Sequence, residues 1–270
     1  MFARYRYLFL TIGIVLAAFL APLVFALTVG GYSLENAQHI EEVRAHFYDK
    51  PEVSLERVAV KVVYVVPADI GAKASTTGWS SKVEEKLHQV MNDVAVFHRG
   101  QFRGSSVMNY EFFPWGVTLR RESRFYDSDN TNEGNPHALT AIAAELQERM
   151  FTEGGDLYDA EFSKYQEEEY RVLALVYAGV GASGGAITKD ASYDGALILN
   201  QDYFLDERWQ QEGPTVLYHE LAHTLGVPDS YDIKSGVTET DDIMGSRRDV
   251  PLANTYLDLR TLKHMGVGSE

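Results

Sequence analysis

The segment His219-Glu220-Leu221-Ala222-His223 sets two imidazoles four residues apart, with a carboxylate beside the first. On a helix, positions i and i+4 share one face with about 5–6 Å between Cβ atoms, so both rings can reach one metal ion. Zinc suits such a pair, because it takes nitrogen and oxygen ligands in a tetrahedral shell. Glu220 can reach a metal-bound water rather than the metal, the position of a general base in metal-assisted hydrolysis. Gly226 is the residue type that ends a helix in the left-handed conformation, and Pro228 cannot continue one. The chain must turn there, so Asp229 can swing back toward the two histidines. Two nitrogens and one carboxylate leave a fourth position for water, as a catalytic zinc requires. Asp232 is the rival third ligand. A helix with two exposed histidines is the alternative reading of a bare His-Glu-x-x-His. Apolar neighbours, with Gly and Asp following in register, favour the metal site.

The extended string His219-Glu-x-x-His223-x-x-Gly226-x-x-Asp229 resembles the metzincin zinc-peptidase signature in its variant with Asp as third ligand. Gly226-Val227-Pro228-Asp229-Ser230-Tyr231-Asp232 is similar to the immune inhibitor A type of secreted peptidase, and less closely to snapalysins. Metzincins carry a Met-turn beneath the metal, and Asp242-Ile243-Met244-Gly245-Ser246 looks like it. The resemblance covers residues 214–270 well, and the middle of the chain only by order of elements. It implies zinc held by His219, His223 and Asp229, Glu220 as general base, and Met244 as a hydrophobic floor. It also implies an extended substrate paired with an edge strand near residues 184–188. Some metzincins place a Tyr two residues after the Met. Here that residue is Ser246, which leaves Tyr231 as a candidate replacement, against an ordinary packing role.

The elements around this segment follow from periodicity. Residues 58–66 are rich in β-branched types and end at Pro67, so they read as a buried strand. Residues 81–98 carry a helical stripe of Val83, Leu87, Val90, Val94 and Phe97, with Ser81 and Glu84 as a capping pair. Residues 107–119 alternate and read as a second strand. Trp115 and the pair Phe112 and Phe113 read as core. Residues 137–150 form a second helix with Leu139, Ile142, Leu146 and Met150 inward. Residues 172–177 are a continuous apolar run and read as a central strand, followed by a Gly-rich loop at 179–185. Residues 186–188 suit a short edge strand and 196–199 another strand. Pro214 fits the first turn of the His219 helix. Leu252, Tyr256, Leu259 and Leu262 keep helical spacing in a last helix stopped by Gly266; His264 on it reads as structural or exposed. The fold class expected is α+β, metzincin-like: a twisted mixed five-stranded sheet over an active-site helix and Met-turn.

With 270 residues and 45% hydrophobic residues, the chain has the composition of a globular protein. Its formal charge of -15 argues against a nucleic-acid surface. It has no Cys, which excludes disulfides and a thiolate-based zymogen switch. Residues 8–29 are uncharged and follow Arg4 and Arg6, long enough to cross a bilayer. Their length favours an N-terminal transmembrane anchor over a signal peptide, although Val24-Phe25-Ala26 offers a small-residue cleavage site. Either way the remainder lies outside the cytoplasm, membrane-anchored or secreted. The expected organisation is residues 1–30 as anchor or signal peptide, 31–56 as linker, stalk or short propeptide, and 57–270 as the peptidase domain. His39 and His46 in the linker read as surface residues. Residues 127–134 are an oxygen-rich loop, for which calcium is a secondary expectation against a solvated turn, since the spacing departs from the EF-hand. The acidic run 153–169 reads as a solvated face.

The expected function is a zinc endopeptidase acting on a protein or peptide substrate. A non-catalytic surface-binding protein with a structural metal clip is the alternative from another class, and a cell-wall peptide amidase is a milder variant. The presence of Glu220 speaks against a purely structural site, which needs no base.

Overall fold

Ten residues that are nearly all buried form the interior strand β1 (Arg57–Val66), whose valines are buried on both faces as in a strand covered by helices. The computed structural model describes residues 55–71, 81–113, 116–127, 136–151, 170–187, 193–232 and 235–265. Beside β1 run β2 (Val107–Phe112) and β4 (Tyr170–Tyr177), both parallel to it; β6 (Gly195–Asn200) lies parallel to β4. The far edge is β5 (Ser183–Ile187), antiparallel to β6, so the order is β2-β1-β4-β6-β5. The sheet is therefore mixed and mostly parallel.

Two expectations about strands need correction. The single strand expected over residues 107–119 is two strands, because β3 (Val117–Thr118) also pairs with β1. The register explains the break: β1 advances from Val62 to Val65 while its partner advances from Phe112 to Val117, so extra residues must loop out. The sheet thus has six strands in five positions. Second, the Gly-rich stretch expected to be a loop contributes Ser183, Gly184 and Gly185 to β5.

Helices cover both faces. Val58, Val60 and Val62 of β1 and Val172 and Val176 of β4 pack with α2 (Ser81–Gln101), through Val83, Leu87, Val90, Val94 and Phe97. Val63 and Val65, with Leu173 and Leu175, face α4 (Pro136–Phe151) through Leu139, Ile142 and Leu146. Each fully buried side chain of this size contributes about 1.5–3 kcal/mol relative to exposure. Between them lie the short helices α1 (Ala68–Gly71) and α3 (Ser123–Tyr126), and α5 (Asp202–Leu205) follows β6.

The first core also holds α6 (Gly213–Thr224), the helix of the His-Glu-x-x-His segment, with Leu217, Tyr218, Leu221 and Ala222 buried. Pro214 sits in its first turn. After it come a hairpin, β7 (Tyr231–Asp232) with β8 (Val237–Thr238), and α7 (Leu259–His264). The last helix was expected to start near Leu252, but Leu252–Asn254 is only a 3-10 turn. The following residues are held by tertiary bonds instead: Tyr256 O accepts from Ile243 N, and Leu257 N donates to Gln101 Oε1. His264 is exposed.

Among the described residues, no helix is long and apolar enough to cross a membrane. The expected anchor at 8–29, the linker with His39 and His46, Trp115, most of the oxygen-rich loop, the acidic run, Thr188 and Gly266 lie outside the described residues, as do the side chains of Ser81 and Met150.

Candidate metal centre

α6 ends in a way that the sequence dictates. Gly226 has φ 88°, a left-handed conformation that glycine adopts without strain. Gly226 N donates to His223 O and Val227 N to Ala222 O, the two bonds of a Schellman cap. The cap folds the chain back so that Val227 O accepts from His223 Nδ1 at 2.7 Å. His219 is held likewise: its Nδ1 donates to Ile243 O at 2.9 Å. A carbonyl can only accept, so both Nδ1 atoms carry the proton and both Nε2 lone pairs are left for another partner.

The two Nε2 atoms are 3.2 Å apart, and Asp229 Oδ1 lies 3.2 Å from one and 3.3 Å from the other. This near-equilateral triangle matches the edges of a tetrahedral zinc shell, in which ligands about 2.0–2.1 Å from the ion stand about 3.3–3.4 Å apart. Among the described residues these three form the group able to hold a metal ion, and no fourth His, Cys, Asp or Glu joins it. The side chain of Asp229 is 46% exposed against 7% for His219, so the site opens to solvent on the carboxylate side.

The electrostatics fit cation binding. Burial opposes charge on Asp229, but hydrogen bonds and charge from both histidines win and hold its carboxyl well below the usual range. Burial also disfavours charge on His223, yet Asp229 and the Glu220 charge raise its pKa. Glu220 is buried, and desolvation raises its pKa against the opposing pull of His219 and His223.

Gly185 of β5 brings the sheet edge to the site. A Cβ there would stand 2.1 Å from Glu220 O and 3.1 Å from His223 Cβ, so only glycine lets β5 lie against α6. At the other end of the helix, a Cβ on Gly213 would stand 2.2 Å from Tyr203 O. Burial, and then the charge of Glu220, raises the Tyr203 phenol pKa. Beneath α6, His98 is fully buried between Tyr218 Oη at 2.8 Å and Ser106 Oγ at 2.6 Å. Ser106 spends its proton on Leu55 O, so His98 Nε2 donates to Ser106 and Nδ1 accepts from Tyr218.

The remaining sequence candidates fall around this centre. Met244 and Ile243 are wholly buried in the core that contains α6. The Tyr231 ring lies 6.0 Å from that of His219, beneath the Arg248 guanidinium at 4.0 Å. Burial and the charge of Asp229 push its phenol above the ordinary range. Asp232, the rival ligand, is exposed; its carboxylate accepts from Ser235 Oγ, and it stands outside the metal group. Asp127, first residue of the oxygen-rich loop, accepts from Tyr177 Oη at 2.6 Å and Val180 N at 2.9 Å. Sequence reasoning placed Gly185 in the substrate edge and Asp242 in the Met-turn string by resemblance alone, and missed the close approach of Gly185 to α6, the bonding of Asp242, and Tyr203 and His98. For Gly185 a signal existed, since a glycine inside a strand marks close backbone approach.

No protein-family model and no curated protein matches the chain. Among solved structures it is similar to the crystal structure of metalloproteinase-II from Bacteroides fragilis, with TM-score 0.42 and 12% identity over 84% of this chain. The chain spans 61% of that protein's length. So distant a likeness assigns no family, and the functional reading rests on the His219, His223 and Asp229 triangle.

Proposed function

We propose that this chain is a zinc-dependent endopeptidase with His219, His223 and Asp229 as ligands and Glu220 as general base. The observation that carries the reading is the ligand triangle, with edges of 3.2–3.3 Å, next to a buried carboxylate. A zinc ion there would supply a Lewis acid and lower the pKa of a water toward about 7. Glu220 accepts the proton of the attacking water and returns it to the leaving amine nitrogen. Its burial raises its affinity for a proton, which suits a general base. Among the described residues β5 is an edge strand with open space around Gly184, so it offers backbone hydrogen bonds to an extended substrate. Met244 serves as a floor rather than a ligand, and the metzincin and immune inhibitor A resemblance of the motif is part of this reading.

Action outside the cytoplasm, with residues 8–29 as anchor or cleaved signal, belongs to the same proposal and rests on their charge-free length. A saturated structural clip is disfavoured by the exposed Asp229 and by the lack of a fourth such ligand among the described residues. The test is casein cleavage by the full-length protein before and after removal of metal with a chelator. Expected is loss of cleavage on chelation and recovery with added zinc. Cleavage indifferent to chelation, in protein shown to be metal-free, refutes it.

A further inference from the structure

We infer that Asp242 is a positioning residue for the metal ligands, acting through the turn that its buried carboxylate pins. The inference rests on the metal-site reading above. Asp242 is 0% exposed, and four donors fill its carboxylate. Oδ1 accepts from Thr240 Oγ1 at 2.7 Å and Met244 N at 3.0 Å. Oδ2 accepts from Asp258 N at 3.2 Å and Thr261 Oγ1 at 2.5 Å. Its backbone oxygen accepts from Gly245 N and Arg247 N. One side chain thus closes the turn on itself and ties it to α7.

The turn's own carbonyls point the other way, toward the site. Ile243 O takes the Nδ1 proton of His219, which fixes the tautomer with Nε2 free. Met244 O takes the N–H of Ser230, the neighbour of Asp229. Two of the three ligand-bearing segments therefore hang on residues 243 and 244, and those residues hang on Asp242. Groups that orient metal ligands in this way are worth about 10–100-fold in metal affinity.

Asparagine cannot substitute. Each carboxylate oxygen faces one backbone N–H, of Met244 or of Asp258, and a backbone donor cannot turn round. The asparagine NH2 would oppose one of them, although both threonine hydroxyls could rotate to accept. Zinc affinity, by competition with a chromophoric chelator, and the visible spectrum of the cobalt-loaded full-length protein test the idea. Asp242→Asn that folds by circular dichroism is expected to bind zinc at least about tenfold more weakly and to show shifted cobalt bands. Thr240→Val, which removes one donor to Oδ1, is expected to move both readouts the same way by less. If Asp242→Asn does not fold, Thr240→Val decides. Folded variants with wild-type zinc affinity and cobalt spectrum overturn the inference, even where the melting temperature falls, because Asp242 then only stabilises. Wild-type protein that binds neither metal overturns the metal-site reading itself, and the inference with it.

Discussion

Replacing Gly185 by alanine inserts a methyl group where the backbone of α6 already stands. The new Cβ would lie 2.1 Å from Glu220 O and 3.0 Å from Glu220 C. Carbon contacts are comfortable near about 3.5 Å, so the overlap exceeds an ångström and falls on helix backbone rather than on a side chain that could rotate. Relief requires β5 to lift from α6, against its pairing with β6. Overpacking of this kind costs about 1–3 kcal/mol, and a backbone clash belongs at the upper end. At about 2–4 °C per kcal/mol for a domain of roughly 150–250 residues, the melting temperature should fall by roughly 4–12 °C. The lift also moves the proposed substrate edge relative to Glu220 and His223, and about 1 Å of misplacement costs on the order of 10²-fold in rate. Thermal melts and casein cleavage of Gly185→Ala check both numbers. A variant that melts within about 1 °C of wild type and cleaves within about twofold refutes the close approach of β5 and the role given to it.

Asp229→Ala should weaken zinc binding by about 100-fold or more, taking about 10–16 kcal/mol for a four-ligand site as the scale, while Asp232→Ala leaves it within about twofold. Chelator competition distinguishes the two, and the reverse ranking would identify Asp232 as the ligand. Acid should destabilise the fold through His98, whose pKa burial lowers from 6.5 to about 3. The folded protein then keeps His98 neutral while the unfolded chain binds a proton below 6.5, so stability present above that pH is lost as pH falls toward 3. The loss is about 1.4 kcal/mol per unit, or about 2 kcal/mol between pH 7 and 5. Urea melts should give wild type a steeper pH slope than His98→Gln by about one proton, and equal slopes would contradict a neutral buried His98.

Local geometry explains what could be read in advance. His219 and His223 share a helix face by spacing alone, and Gly226 forces the reversal that brings Asp229 back, so the choice of ligands is local, while Ile243 O and Met244 O, far along the chain, hold His219 and the neighbour of Asp229 in place. The valine run of β1 and the stripe of α2 are equally local. The misses are long-range. Gly184 and Gly185 resemble a loop until the helix they must touch is in place. The break between β2 and β3 depends on register against β1. Tyr256 keeps helical spacing with Leu252 and Leu259, yet its carbonyl is taken by Ile243 N, and Asp258 N by Asp242, so tertiary bonds overrule the local pattern. The burial of Asp242 and His98 gave no sequence signal, because a buried polar side chain is recognised only by partners such as Thr261 and Tyr218.

Bound zinc and casein cleavage, measured together on full-length wild type and Glu220→Gln, bear most directly on the proposed chemistry. Expected is about one zinc per chain in both, with cleavage lost by about 10²–10⁴-fold in the variant. A folded wild type without zinc, or a variant that cleaves at the wild-type rate, would contradict the assignment of His219, His223 and Asp229 as ligands or of Glu220 as base, respectively.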